Sequence, residues 1–192
     1  MTYDFSNAEP ASGGSFDIIP AKTIAPIRVA VLAGEAGTPE NAYAITKSGL
    51  YQLVLECTIT EGDFAKRKIW HRLTMGARAG VEMTDGQKKG VSISHSFIRS
   101  LLEAKAGISP TDESAAAIAA RKINSLMDLN GIEAWVEIGV EKSEQYGDKN
   151  KINRVVASPA NGGAQAVVTQ TAAAFTAAAK PAASTGKPSW AS

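Results

Sequence analysis

The clearest pattern in the chain is the strict alternation over Gly49–Thr60, GLYQLVLECTIT, where Tyr51, Leu53, Leu55, Cys57 and Ile59 form one set. Gln52, Val54, Glu56, Thr58 and Thr60 fall between them, which is the period-two signature of a strand with one buried face. Glu61-Gly62-Asp63 supplies turn residues, and residues 66–73, KRKIWHRL, return as the second arm of an antiparallel hairpin. A second hairpin pairs residues 131–142, GIEAWVEIGVEK, with residues 151–157, KINRVVA, across the polar loop SEQYGDKN. In its first arm Ile132, Ala134, Val136, Ile138 and Val140 share one face. An earlier strand spans residues 23–32, TIAPIRVAVL, and Pro26 inside it argues for an edge or a bulge.

Helical spacing takes over between the hairpins. Phe97, Leu101 and Leu102 mark a helix over residues 94–106, stopped by Gly107. Residues 74–94 read as a loop, including the glycine-rich TDGQKKG, which lacks the strand-before, helix-after setting of a phosphate loop. A second helix is expected over residues 113–127, with Ile118, Ile123 and Leu126 as its apolar positions. No 20–50-residue repeat is present. Mainly β, with five strands and helices between the third and fourth, is the order of an OB-fold-like, partly open barrel. Other small barrels with one helical insertion share that order.

Composition divides the chain into three. Residues 1–15 are polar and read as a flexible leader, residues 16–157 hold nearly all the large apolar side chains, and residues 158–192 are mostly Ala, Thr, Gly, Pro and Ser with little to bury. Such a tail cannot offset its ordering entropy, and disorder is the expectation. The 192 residues carry 20 Lys+Arg against 19 Asp+Glu, a net charge of +1. Removing the tail's Lys180 and Lys187 leaves 18 basic and 19 acidic residues in the first 157 positions. A uniformly basic nucleic-acid binder is thereby excluded, and any binding surface requires cations segregated from acids.

Catalytic motifs are absent: there is no G-x-S-x-G, P-loop or G-x-G-x-x-G, and no cofactor motif. One cysteine and two separated histidines exclude zinc-ligand spacing and a disulfide framework, and favour a reducing compartment. His71 and His95 lack a visible partner for general-base work. Glu133, Glu137 and Glu141 read as a solvated strand face rather than a metal cluster, and Cys57 as a buried, inert thiol. No signal peptide or membrane-spanning stretch is legible.

The informative segment is residues 66–73. Alternation puts Lys68, Trp70 and Arg72 on one face and Ile69, His71 and Leu73 on the other. An indole between two cations suits single-stranded nucleic acid, with a base stacked on the ring and phosphates met on either side. Alternation alone leaves a second possibility open, that Trp70 is core and its neighbours merely extend past it. Lys88 and Lys89 in the following loop, and Lys149, Lys151 and Arg154 around the last hairpin, extend the candidate groove. Tyr146 is a further stacking candidate or an ordinary loop tyrosine. Trp135, between Glu133 and Glu137, belongs to an acidic face and is expected to pack against a helix or a partner.

Residues 49–76, with the run TEGDFAKRKIW, resemble small phage and prophage proteins regarded as single-stranded DNA-binding or recombination-associated, with an OB-like core. So does EKSEQYGDKNKINRVVAS at residues 141–158, through its Y-x-D-K-N-x-I segment. The resemblance covers residues 16–157. It implies a non-enzymatic, sequence-nonspecific protein of phage DNA replication or recombination in the bacterial host cytoplasm, with single-stranded DNA as ligand, possible self-association, and replication or recombination proteins as further partners. It also directs attention to Lys68, Trp70, Arg72, Tyr146, Lys149, Asn150, Lys151 and Asn153. An adaptor using the same barrel to bind protein, without touching DNA, is the alternative. Two departures stand out: the tail is acid-free although it carries Trp190, and the second helix looks inserted.

Overall fold

The computed structural model describes residues 17–143 and 147–159. The 158–192 tail beyond Pro159, the 1–15 leader and Tyr146 lie outside them. In chain order the elements are β1 (Thr23–Val31), β2 (Tyr43–Ile45), β3 (Leu50–Ile59), β4 (Lys68–Ala77), α1 (Asp85–Ala106), α2 (Ala115–Ala120), β5 (Glu133–Glu141) and β6 (Lys149–Val156). Short 3-10 turns occupy Pro39–Asn41 and Leu126–Leu129. All pairings are antiparallel, in a six-stranded sheet where β3 is flanked by β4 on one side and by β1 and β2, end to end, on the other. β1 continues to β5, and β5 to β6. Among the described residues no ladder joins β4 to β6, so the sheet curves but stays open along that seam.

The alternating segments fold as the alternation dictates. Leu53, Leu55, Cys57 and Ile59 of β3 are buried, as are Ile27 and Val29 of β1 and Val136 and Ile138 of β5. Phe97, Ile98, Leu101 and Leu102 of α1 close the core from one side, against β4, β5 and β6. Pro26 does not mark an edge. β1 is an inner strand paired on both sides, and the proline sits where the β1–β3 ladder runs out, beyond the Ile27↔Ile59 pair. There its carbonyl accepts the Thr60 N–H at 3.0 Å, and a missing donor interrupts nothing.

Two expectations about the stretch between the hairpins are corrected. TDGQKKG is not a loop: α1 begins at Asp85, and a reciprocal cap fixes its start. Gln87 N–H donates to Thr84 Oγ1 at 3.3 Å and Thr84 N–H to Gln87 Oε1 at 2.8 Å. The helix stops as expected at Gly107, which adopts the left-handed conformation at φ 65°. The second helix shrinks from residues 113–127 to six residues. At its end the Arg121 guanidinium is drawn into bonds with the carbonyls of Asp112 and Ser109 and with the buried Glu103 carboxylate, 2.6, 3.1 and 2.7 Å away. No helix among the described residues is long and apolar enough to cross a membrane.

Candidate nucleic-acid interface

The β3–β4 hairpin builds one wall of the site. Gly62 adopts φ 82° in the turn, and the return arm carries an extra residue: Lys66 N–H donates to Ile59 O at 2.8 Å while Ile59 N–H donates to Arg67 O at 2.9 Å. Two residues opposite one make a β-bulge, with Lys66 in the left-handed region at φ 69°. β4 then alternates as its sequence demands. Ile69 and Leu73 are buried, Lys68 and Arg72 are exposed, and Trp70 keeps 57% of its surface in solvent. Trp70 is therefore not a core residue.

Behind it, His71 points inward, its ring centroid 4.4 Å from that of Phe97. Burial lowers its pKa to about 4, which leaves the imidazole neutral at neutral pH. Cys57, on the buried face of β3, has its thiol pushed up to about 12, chiefly by burial and secondarily by Glu56, so it is unreactive in the fold.

β6 supplies the opposite wall, with Lys149 and Lys151 exposed and Ile152 buried between the sheet and α1. The two walls are tied at one end by the segment just before β1. Ile19 N–H donates to Asn150 Oδ1 at 3.0 Å and Asn150 Nδ2 donates back to Ile19 O at 2.8 Å. Arg67 Nη1, from the other wall, donates to Asp17 O at 2.6 Å. Residues 17–19 thus bridge the end of a seam that no ladder closes.

Between the walls lies a groove of about 970 Å³. Among the described residues, Lys66, Arg67, Lys68, Arg72, Lys149 and Lys151 line it together with Trp70, against two acids, Glu141 and Asp148. In a chain whose net charge is +1, six cations against two carboxylates is a strong local segregation. Glu133 and Glu137 lie elsewhere, as the charge balance required. Each is held by an arginine at 2.6 Å, Glu133 by Arg28 and Glu137 by Arg154.

Of the candidates named from sequence, Lys68, Trp70, Arg72, Lys149 and Lys151 converge on this groove. Three others do not. Lys88 and Lys89 ride the exposed first turns of α1, where Lys88 pairs with Asp85 at 3.6 Å. Arg154 is committed to Glu137, whose carboxyl is held below the usual range first by the Asn153 hydrogen bond and then by Arg154. Asn150 also lines the groove and Asn153 does not, but the amides of both are bonded within the protein. Asn150 brackets Ile19, and Asn153 lies over Gly139, where a side chain's Cβ would collide with its amide. Tyr146 falls outside the described residues.

Sequence reasoning missed Lys66, Arg67 and Ile18 as groove residues. The adjacent K-R-K run was a usable signal for the first two, and nothing local marks the third. Among the described residues no three His, Cys, Asp or Glu side chains gather as a metal site would require.

No family model, curated protein or solved structure matches the chain.

Proposed function

We propose that the β4–β6 groove binds single-stranded DNA without base-sequence preference. The observation that carries this reading is the meeting of an exposed tryptophan with cations from two walls on one groove. An exposed indole offers a face on which any base can stack, contributing ~1–3 kcal/mol, and a duplex keeps those base faces occupied. Lys68 and Arg72 flank the ring along β4, and Lys149 and Lys151 stand across the groove, so phosphates on both sides of a stacked base meet positive charge. The strand order β4-β3-β1-β5-β6, with α1 between β4 and β5, supports an OB-like barrel left open at the β4–β6 seam. On that reading the β3–β4 face and the loop before β6 are the surfaces that hold oligonucleotides. A role in phage DNA replication or recombination, without catalysis, follows the sequence resemblance.

Fluorescence anisotropy with labelled oligo-dT at low and moderate salt tests the proposal. Binding is expected to weaken steeply with salt and to change little when dT is replaced by mixed sequence. Absence of binding at low salt overturns it. The unpaired edges of β4 and β6 favour one other reading, an acidic peptide strand laid between them. DNA binding that disappears with Trp70→Ala, while folding is retained, decides against that alternative.

A further inference from the structure

The groove's cations are not equivalent. Lys68 Nζ lies 2.8 Å from Glu56 Oε1 and Lys149 Nζ lies 3.3 Å from Glu141 Oε2, one ion pair on each wall. Arg72 and Lys151 make no ion pair among the described residues, so the groove strands β4 and β6 each carry one committed cation and one uncommitted one. Glu56 belongs to β3, directly opposite Trp70 in the β3–β4 register, and its side chain keeps 19% exposure. Glu141 ends β5 on the groove itself, with 51% exposure.

A carboxylate touching an ammonium occupies a donor and offsets a charge that a phosphate would use, and a pair whose lysine stays half-exposed or more is weak enough to exchange. We propose that Glu56 and Glu141 are built-in competitors of the nucleic-acid backbone. Lys68 and Lys149 each trade a carboxylate for a phosphate when the groove fills, while Arg72 and Lys151 engage phosphate with nothing to give up. The inference rests on the single-stranded-DNA reading above. Its consequence is regulatory: the two carboxylates hold affinity below what the groove's cations would otherwise reach, and hasten release.

The test is oligo-dT anisotropy at ~50 and ~200 mM salt on the full chain, comparing the wild type with Glu56→Gln, Glu141→Gln and Glu133→Gln. Either groove substitution is expected to tighten binding about threefold, and the two together about tenfold, with a steeper salt dependence. Glu133→Gln removes the same charge from a site held by Arg28 outside the groove, and leaves affinity unchanged. Unchanged or weaker binding by the groove variants overturns the inference. So does equal tightening by Glu133→Gln, which assigns the effect to net charge. Should Glu56→Gln fold poorly by thermal melting, the exposed Glu141→Gln decides alone. If the wild type fails to bind at either salt, the DNA reading falls and this inference with it. Trp70-dependent binding that ignores both groove substitutions overturns this inference only.

Discussion

Trp70 and Trp135 are placed alike by sequence and treated oppositely by the fold. Each sits mid-strand on an outward face with charges two residues away on either side, Lys68 and Arg72 for the first, Glu133 and Glu137 for the second. Trp135 has a strand on both flanks, opposite Pro26 of β1 and Val156 of β6, and is half-buried. Its neighbouring acids are neutralised by Arg28 and Arg154. Trp70 has Glu56 on one flank and an open seam on the other. A strand's position in the sheet, more than the local sequence, decides whether an aromatic is packed or left open to solvent. Arg72 and Lys151, which make no ion pair among the described residues, stand on the side where the sheet does not close.

The inner faces of the two strands differ as well, and here the largest effect is expected. Behind Trp135, β5 presents Ala134 and Val136; behind Trp70, β4 presents His71. The folded-state pKa of His71 is lowered from 6.5 to about 4, so the unfolded chain binds the proton first as pH falls. Stability is fully present above pH 6.5, declines as pH drops through that value, and below pH 4 has lost about 3 kcal/mol from this group. Glu137, whose pKa is depressed from 4.5, acts only at the acid end, which leaves the interval between 6.5 and 4.5 to His71. Urea denaturation at pH 7.5 and 4.5 should show a drop in the wild type that His71→Leu abolishes. An equal drop in the variant would remove His71 as the cause.

Truncating the two tryptophans sharpens the comparison directly. Trp70→Ala is expected to weaken oligo-dT binding by ~1–3 kcal/mol, roughly 5- to 150-fold, and to leave the melting temperature nearly unchanged. Trp135→Ala should do the reverse, costing about 2 kcal/mol of stability, less than the ~3–5 of a fully buried ring, with binding preserved. The pair is read by anisotropy and thermal denaturation on the same preparations. A collapse in stability with Trp70→Ala, or lost binding with Trp135→Ala, would break the assignment.

What was legible follows from range along the chain. The face of β4 was readable because period two holds without interruption from Lys68 to Leu73, and both hairpins were readable for the same reason. β2 was not, since three residues establish no period. The start of α1 was written in T-x-x-Q, but Gly86 and Gly90, both poor helix formers, masked it, and Lys88 and Lys89 were misplaced with it. The second helix was overestimated because Arg121 serves a tertiary clamp on Glu103, 18 residues earlier. The groove was half-visible. Its cations could be named, but the bridge between Ile19 and Asn150 spans 131 positions and leaves no local trace.

The smallest expected effects separate committed from uncommitted cations, and they carry the contrast between the two regions from rings to charges. Arg72→Ala and Lys151→Ala each remove a groove cation that makes no ion pair among the described residues. Each is expected to weaken oligo-dT binding about three- to tenfold and to lower the slope of log affinity against log salt by about one. Arg154→Ala removes the same charge from the face beside Trp135, where the guanidinium holds Glu137 at 2.6 Å. It should leave binding unchanged and release the Glu137 carboxyl toward its ordinary pKa, a shift that NMR titration would record. If all three variants weaken binding equally, the protein attracts DNA through its overall charge. A groove that segregates charge predicts two losses and one silence.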